Sequence, residues 1–171
     1  MTNTLTQPTT SPSVVAAGDG DHLHFLNHLA TVKASAHQTG SAINAVEFTA
    51  PRGFGPPLHV HHEEDELMYL VDGQIRFRAA GDETLATTGA VVILPAGIPH
   101  TFQVESTTAR FLTIAAGSRQ RPTFDRFVST LGTPTATPTL PAPVDIDPGR
   151  VSDVGAAHGI EILGPPPAPL D

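Results

Sequence analysis

The residues best suited to chemistry lie mid-chain. His59, His61 and His62 precede an acidic run, Glu63-Glu64-Asp65-Glu66, and His100 follows the turn-rich stretch Pro95-Ala96-Gly97-Ile98-Pro99. Side chains alternate along an extended strand, so His59 and His61 present both imidazoles to one face. The chain then turns, and Glu66, opening the next strand, can point back to that face. Asp65 and His62 fall one residue out of register and point away, which makes His62 a rim residue or a supporting partner. Three imidazoles and one carboxylate converging on one point form an N₃O donor set that suits Zn, Fe, Mn, Co, Ni or Cu. Within a closed barrel such a site keeps positions open for water or substrate. The bland alternative is three polar residues on a rim and a surface acid at Glu66. Each buried imidazole without a partner would cost about 1–3 kcal/mol, so the spacing favours the metal. His22, His24, His28, His37 and His158 are scattered. A second site built on His22, His24 and His28 lacks a carboxylate in register, and these are read as structural.

These groups need strands to hold them. From Leu58 to Ala115 short β-prone runs recur between Gly and Pro turns: Leu58–His61, Glu66–Val71, Gln74–Ala79, Thr84–Thr87, Val91–Leu94, His100–Val104 and Ala109–Ala115. Two or three more strands are expected between Asp21 and Ala50. Asp72-Gly73 reads as a two-residue hairpin turn. That register places Leu70, Met68 and Glu66 opposite Ile75, Phe77 and Ala79 on the metal face, with Tyr69, Arg76 and Arg78 outside. The pocket is then expected to be apolar, lined by Met68, Phe77, Phe102 and Ile93, although most of these could equally be core. The fold class is all-β, a jelly-roll β-barrel. After it, Phe124, Phe127, Val128 and Leu131 recur at helical spacing, and Asp147-Pro148 reads as a cap and first helical residue. The Pro/Thr stretch between them, residues 133–143, is too Pro-rich for helix or sheet. The expected organisation is a disordered arm (1–18), a barrel domain (19–117) and a C-terminal extension with short helices (118–171).

Composition narrows the classes. The chain has 171 residues, 39% hydrophobic and 15% charged, as in a globular domain. A net charge of −8 and no basic cluster argue against nucleic acid and anionic membrane. No run of roughly 18 apolar residues suggests a membrane span, and the polar, Thr-rich start does not resemble a signal peptide. A cytoplasmic location is the expectation. Without cysteine there is no disulfide, thiolate ligand or Cys nucleophile.

Two stretches resemble the paired motifs of the cupin superfamily. The pattern G-x5-H-x-H-x3,4-E-x6-G is met by Gly53, His59, His61, Glu66 and Gly73. The pattern G-x5-P-x-G-x2-H-x3-N is met by Gly89, Pro95, Gly97 and His100, with Val104 where the Asn would stand. The H-x-H-x4-E spacing with a later His is similar to the site of single-domain quercetinase-like dioxygenases. The resemblance implies a cupin-type barrel and one divalent metal held by His59, His61, Glu66 and His100, with Fe, Ni, Co or Mn favoured over Zn or Cu. It also implies Glu66 as a catalytic proton acceptor and, as is common in cupins, a homodimer. The leading functional expectation is a dioxygenase that takes a small aromatic or enolisable, flavonol-like substrate with O₂. The alternatives are a non-redox isomerase, lyase or polyketide-type cyclase, and a non-enzymatic small-molecule-binding cupin.

Overall fold

A computed structural model describes residues 12–117 and 122–170. The first eleven residues of the expected arm lie outside the described residues, as do 118–121 of the extension and its last residue. Residues 16–19 are tied down by Lys33, whose ammonium donates to the carbonyls of Ala16 and Asp19 at 3.3 and 2.6 Å.

Strands run in the order β1 (Asp21–Phe25), β2 (His28–Ala34), β3 (Ile43–Pro51), β4 (His59–His61), β5 (Glu64–Asp72), β6 (Gln74–Ala79), β7 (Asp82–Thr87), β8 (Val91–Leu94), β9 (His100–Val104) and β10 (Thr108–Gly117). The C-terminal part adds β11 (Thr133–Pro134) and β12 (Ile160–Ile162). Helices are α1 (Ala36–Thr39), α2 (Phe124–Leu131) and α3 (Pro148–Ala157). The strands form two antiparallel sheets, β11-β1-β2-β3-β10-β5-β8 and β12-β4-β9-β6-β7. Together they make the all-β jelly roll. Along β3 and β10 every second side chain is buried, as expected for strands with one face in a core. Rings from both sheets meet between them. Phe102 lies 5.5 Å from Phe111 across the sheets and 5.5 Å from Phe77 within its own. Phe48 lies 5.4 Å from Phe111.

The expected hairpin at Asp72-Gly73 is not one. β5 pairs with β10 and β8, and β6 pairs with β7 and β9. The chain therefore passes from one sheet to the other at this point. Gly73 makes the corner at φ 97°, and a Cβ there would lie 2.6 Å from the Thr108 carbonyl oxygen. The faces assigned from the hairpin still hold, because alternation within each strand sets them: Leu70, Met68, Glu66, Ile75 and Phe77 are buried. Tyr69 and the two arginines face outward on different sheets. Arg76 pairs with Glu105 and Glu83, and Arg78 pairs with Glu83.

The C-terminal segments complete both sheets. The Pro/Thr stretch, expected to be free of sheet, pairs its first two residues with Leu23 and His24 of β1. The β1 edge leaves backbone groups open there, and Pro134 sits at the sheet's end where its missing N–H costs no ladder bond. β12 caps the other sheet by pairing Ile160 with His61 and Ile162 with His59. α2 buries Phe124, Phe127 and Val128. α3 begins as expected: the Asp147 side chain accepts from the backbone N–H of Gly149 and Arg150 at 2.9 and 3.3 Å. The final prolines run back over the barrel, where Gln103 donates to the Ala168 carbonyl at 2.7 Å. No helix among the described residues is long and apolar enough to cross a membrane.

Candidate metal centre

β4, β9 and β5 bring the four expected donors together. His59 pairs directly with His100 across β4 and β9, and Glu66 lies on β5 of the opposite sheet. One donor atom from each of His59, His61, Glu66 and His100 lies within 4.8 Å of every other. His100 Nε2 is 3.1 Å from Glu66 Oε2, and His61 Nε2 is 3.5 Å from the same oxygen. All four side chains are buried or nearly so.

The donor set fits a divalent transition metal. Ligand atoms at about 2.0–2.2 Å from a common centre stand roughly 3–4.4 Å apart. His61 offers both ring nitrogens buried and without a hydrogen-bond partner, and a metal at one of them would relieve that part of the cost. The Nδ1 of His59 donates to the Pro57 carbonyl at 2.8 Å, and that of His100 to the Ile98 carbonyl at 2.9 Å. Those bonds fix the tautomer and leave Nε2 as the free lone pair, as in metal-bound histidines. A metal and a proton then compete for His100 Nε2.

The charges are consistent with this. Burial lowers the His59 pKa to about 4, and the neighbouring His100 and His61 add to the effect. Burial also lowers that of His61. Burial alone would lower His100 too, but its hydrogen bond and attraction to Glu66 reverse the direction. Burial would push the Glu66 carboxyl up. The histidines around it, His61 foremost, outweigh that and hold it down at about 2. Glu66 is therefore a carboxylate at any working pH.

The flanking acids divide as alternation dictates. Asp65 faces away and accepts from the Ala96 N–H at 2.8 Å. His62 sits on the exposed rim against Glu161 at 2.9 Å. Glu64 is two residues before Glu66 and is buried, not a surface acid. It accepts from the N–H and hydroxyl of Thr123, which ties the start of α2 to the strand that carries Glu66. Burial raises its pKa.

The quartet lines a cavity whose remaining walls are mostly apolar, among them Met68, Phe102, Phe124 and Ile160. The enclosed part of the cavity is about 80 Å³, room for a few waters. Met68 and Phe102 line the cavity. Phe77 is buried behind Phe102 and does not line the cavity. Ile93 is a correction: it is 68% exposed. β8 pairs Leu94 with Glu66 and Ile93 with Leu67, so Leu94 faces inward and Ile93 faces out. Among the lining residues that the sequence does not single out are His28, Phe54, Thr113 and residues of α2, α3 and β12. His28 carries no motif, and the others reach the cavity only through tertiary packing.

The fold is a cupin-type jelly roll, and residues 46–115 match the cupin-domain family model. Over 101 residues, 59% of this chain, the sequence is 30% identical to quercetin 2,3-dioxygenase of Bacillus subtilis (strain 168); the match spans 30% of that protein's length. A predicted oxalate decarboxylase from Thermotoga maritima superposes with TM-score 0.58 at 19% identity, covering 62% of this chain and 100% of that one. The polyketide cyclase RemF from Streptomyces resistomycificus superposes with TM-score 0.54 at 21% identity, covering 66% and 82%. At such identities these two likenesses establish the fold alone.

Proposed function

We propose that this protein is a metal-dependent cupin dioxygenase that acts on a small aromatic or enolisable substrate, a flavonol or a one-ring relative. The observation that carries this reading is the convergence of three imidazoles and one carboxylate on the wall of an apolar cavity. The local identity to a quercetin dioxygenase supports it. His59, His61, Glu66 and His100 would hold one divalent ion, Fe, Ni, Co or Mn before Zn or Cu. When bound, that ion supplies Lewis acidity toward a substrate oxygen and redox chemistry with O₂, whose two atoms enter the cleaved product.

The chain's own groups do the rest. The Pro57 and Ile98 carbonyls orient two of the imidazoles. Glu66 is ionised and buried, so an oxygen not engaged in ligation can accept the proton of a substrate hydroxyl. Phe102, Phe124 and Met68 exclude water from the reacting centre. The test is metal content of the purified protein beside His59→Ala, followed by oxygen uptake with flavonols and catechols. About one equivalent of redox-active metal is expected, with affinity in the variant falling by more than the roughly 10–100-fold that loss of a supporting partner costs. Zinc at one equivalent with no oxygen uptake transfers the reading to non-redox chemistry. No metal after reconstitution overturns it.

We also propose a homodimer formed through the outer face of the larger sheet. Tyr69 (41%), Val91 (55%) and Ile93 (68%) are exposed there, and β8 is that sheet's edge strand.

A further inference from the structure

His28 is 3% exposed, lines the same cavity as the quartet, and plays no part in holding a metal. Its ring lies among three others: Phe54 at 4.1 Å, Phe25 at 5.1 Å and Phe48 at 5.2 Å. Nδ1 meets the Leu26 carbonyl at 3.2 Å. A carbonyl only accepts, so Nδ1 carries the hydrogen. In the neutral ring Nε2 is then a lone-pair acceptor, and it has no hydrogen-bond partner among the described residues. Burial lowers the His28 pKa to about 4, against a small opposing effect of the Leu26 bond.

The turn that presents this ring is a two-residue hairpin turn, in which both central residues take positive φ. Leu26 and Asn27 link β1 to β2 with φ of 46° and 66°. Asn tolerates that region, whereas Leu there costs roughly 1–2 kcal/mol. Asn27 holds the turn through two 2.9 Å hydrogen bonds with the backbone of Val144, far along the chain. Apart from the four candidate ligands, His28 and Thr113 supply the only polar side chains of the cavity among the described residues. Of these two, His28 can act only as an acceptor through its unpaired nitrogen.

We propose that His28 is a positioning residue whose Nε2 accepts a hydrogen bond from a substrate hydroxyl other than those bound at the metal. The preferred ligand is then a polyhydroxylated ring: one oxygen pair engages the centre and a further hydroxyl is read by His28. This inference rests on the ligand placement in the proposed function.

The test is calorimetric titration of the full-length, zinc-loaded protein under nitrogen with catechol and with 1,2,4-trihydroxybenzene. Wild type is expected to bind the triol about tenfold more tightly than catechol. His28→Phe, which suits the surrounding rings, should reduce that preference below threefold while catechol affinity and metal content hold. His28→Gln, which keeps an acceptor oxygen, should retain part of it. In parallel, the ¹⁵N resonance of His28 Nε2 should shift with the triol and not with catechol, a signature that a merely structural ring would not give and one that needs no variant to fold. A preference undiminished in His28→Phe, or absent from wild type that binds catechol, overturns the role of His28 alone. Failure of wild type to bind either compound overturns the ligand placement and this inference with it.

Discussion

Burying an imidazole among phenylalanines makes its protonation a matter of stability. His28 titrates near 4 in the folded chain because burial disfavours the charged ring, whereas an unfolded chain takes up that proton near 6.5. Between those values the unfolded state binds more protons. The stability that His28 allows is therefore complete above pH 6.5 and is lost as pH falls toward 4. Urea unfolding of wild type and His28→Phe at pH 7 and pH 4.5 should show wild type losing about 2–3 kcal/mol more than the variant over that interval. Equal losses would mean that the ring is charged or solvated in the folded protein. His59 and His61 act in the same direction and are present in both proteins, so the difference isolates His28.

At the scale of elements, the site depends on strands that carry none of its ligands. β12 closes the sheet beside β4 and sets Ile160 against His61. Ile160 is buried and lines the cavity. Ile160→Ala removes packing on the metal strand and should lower stability by about 2–5 kcal/mol, a fall of roughly 5–15 °C in Tm. Metal stoichiometry should be unchanged, since the four donors come from β4, β5 and β9. Calorimetry with metal analysis checks both, and loss of metal at full stability would reverse the assignment. This dependence also explains what could be read from the sequence. The bounds of β6, β8 and β9 and the cap of α3 follow from local periodicity and turn residues; His59 and His61 share a face by alternation within one strand, and Glu66 and His100 are legible through the spacing of the two motifs. Partner choice is not local. Asp72-Gly73 has the chemistry of a hairpin, yet β5 finds β10, whose Phe111 and Thr113 fill the core beside it. Whether Ile93 faces inward depends on which residue of β5 it pairs with, and its partner Leu67 faces out. β11 and β12 are too short to show a period and exist only because an open sheet edge waits for them.

For the whole molecule, the question is what covers the outer face of the seven-stranded sheet. The register sets Tyr69 between Leu112 and Val91, and Leu67 between Ile114 and Ile93. Two parallel rows of apolar side chains thus cross three strands, ending at the edge strand β8. An open edge beside an apolar face invites pairing with another chain. A second copy meets both needs at once, because a two-fold axis sets each patch against itself. Among the described residues the opposite sheet differs: its outward Arg76 and Arg78 are engaged by Glu83 and Glu105. Sedimentation at tens of micromolar should give twice the 17.9 kDa chain mass for wild type. Ile93→Asp places two like charges in one desolvated, self-facing patch and should shift the protein to monomer, while the same change at Leu85 on the other sheet, also exposed, should not. A monomeric wild type would leave the patch without a second copy as its occupant. A dimer that survives Ile93→Asp would move the interface off this face. Because the quartet and His28 lie on the inner faces, metal content should be the same in the monomeric variant, which separates assembly from chemistry.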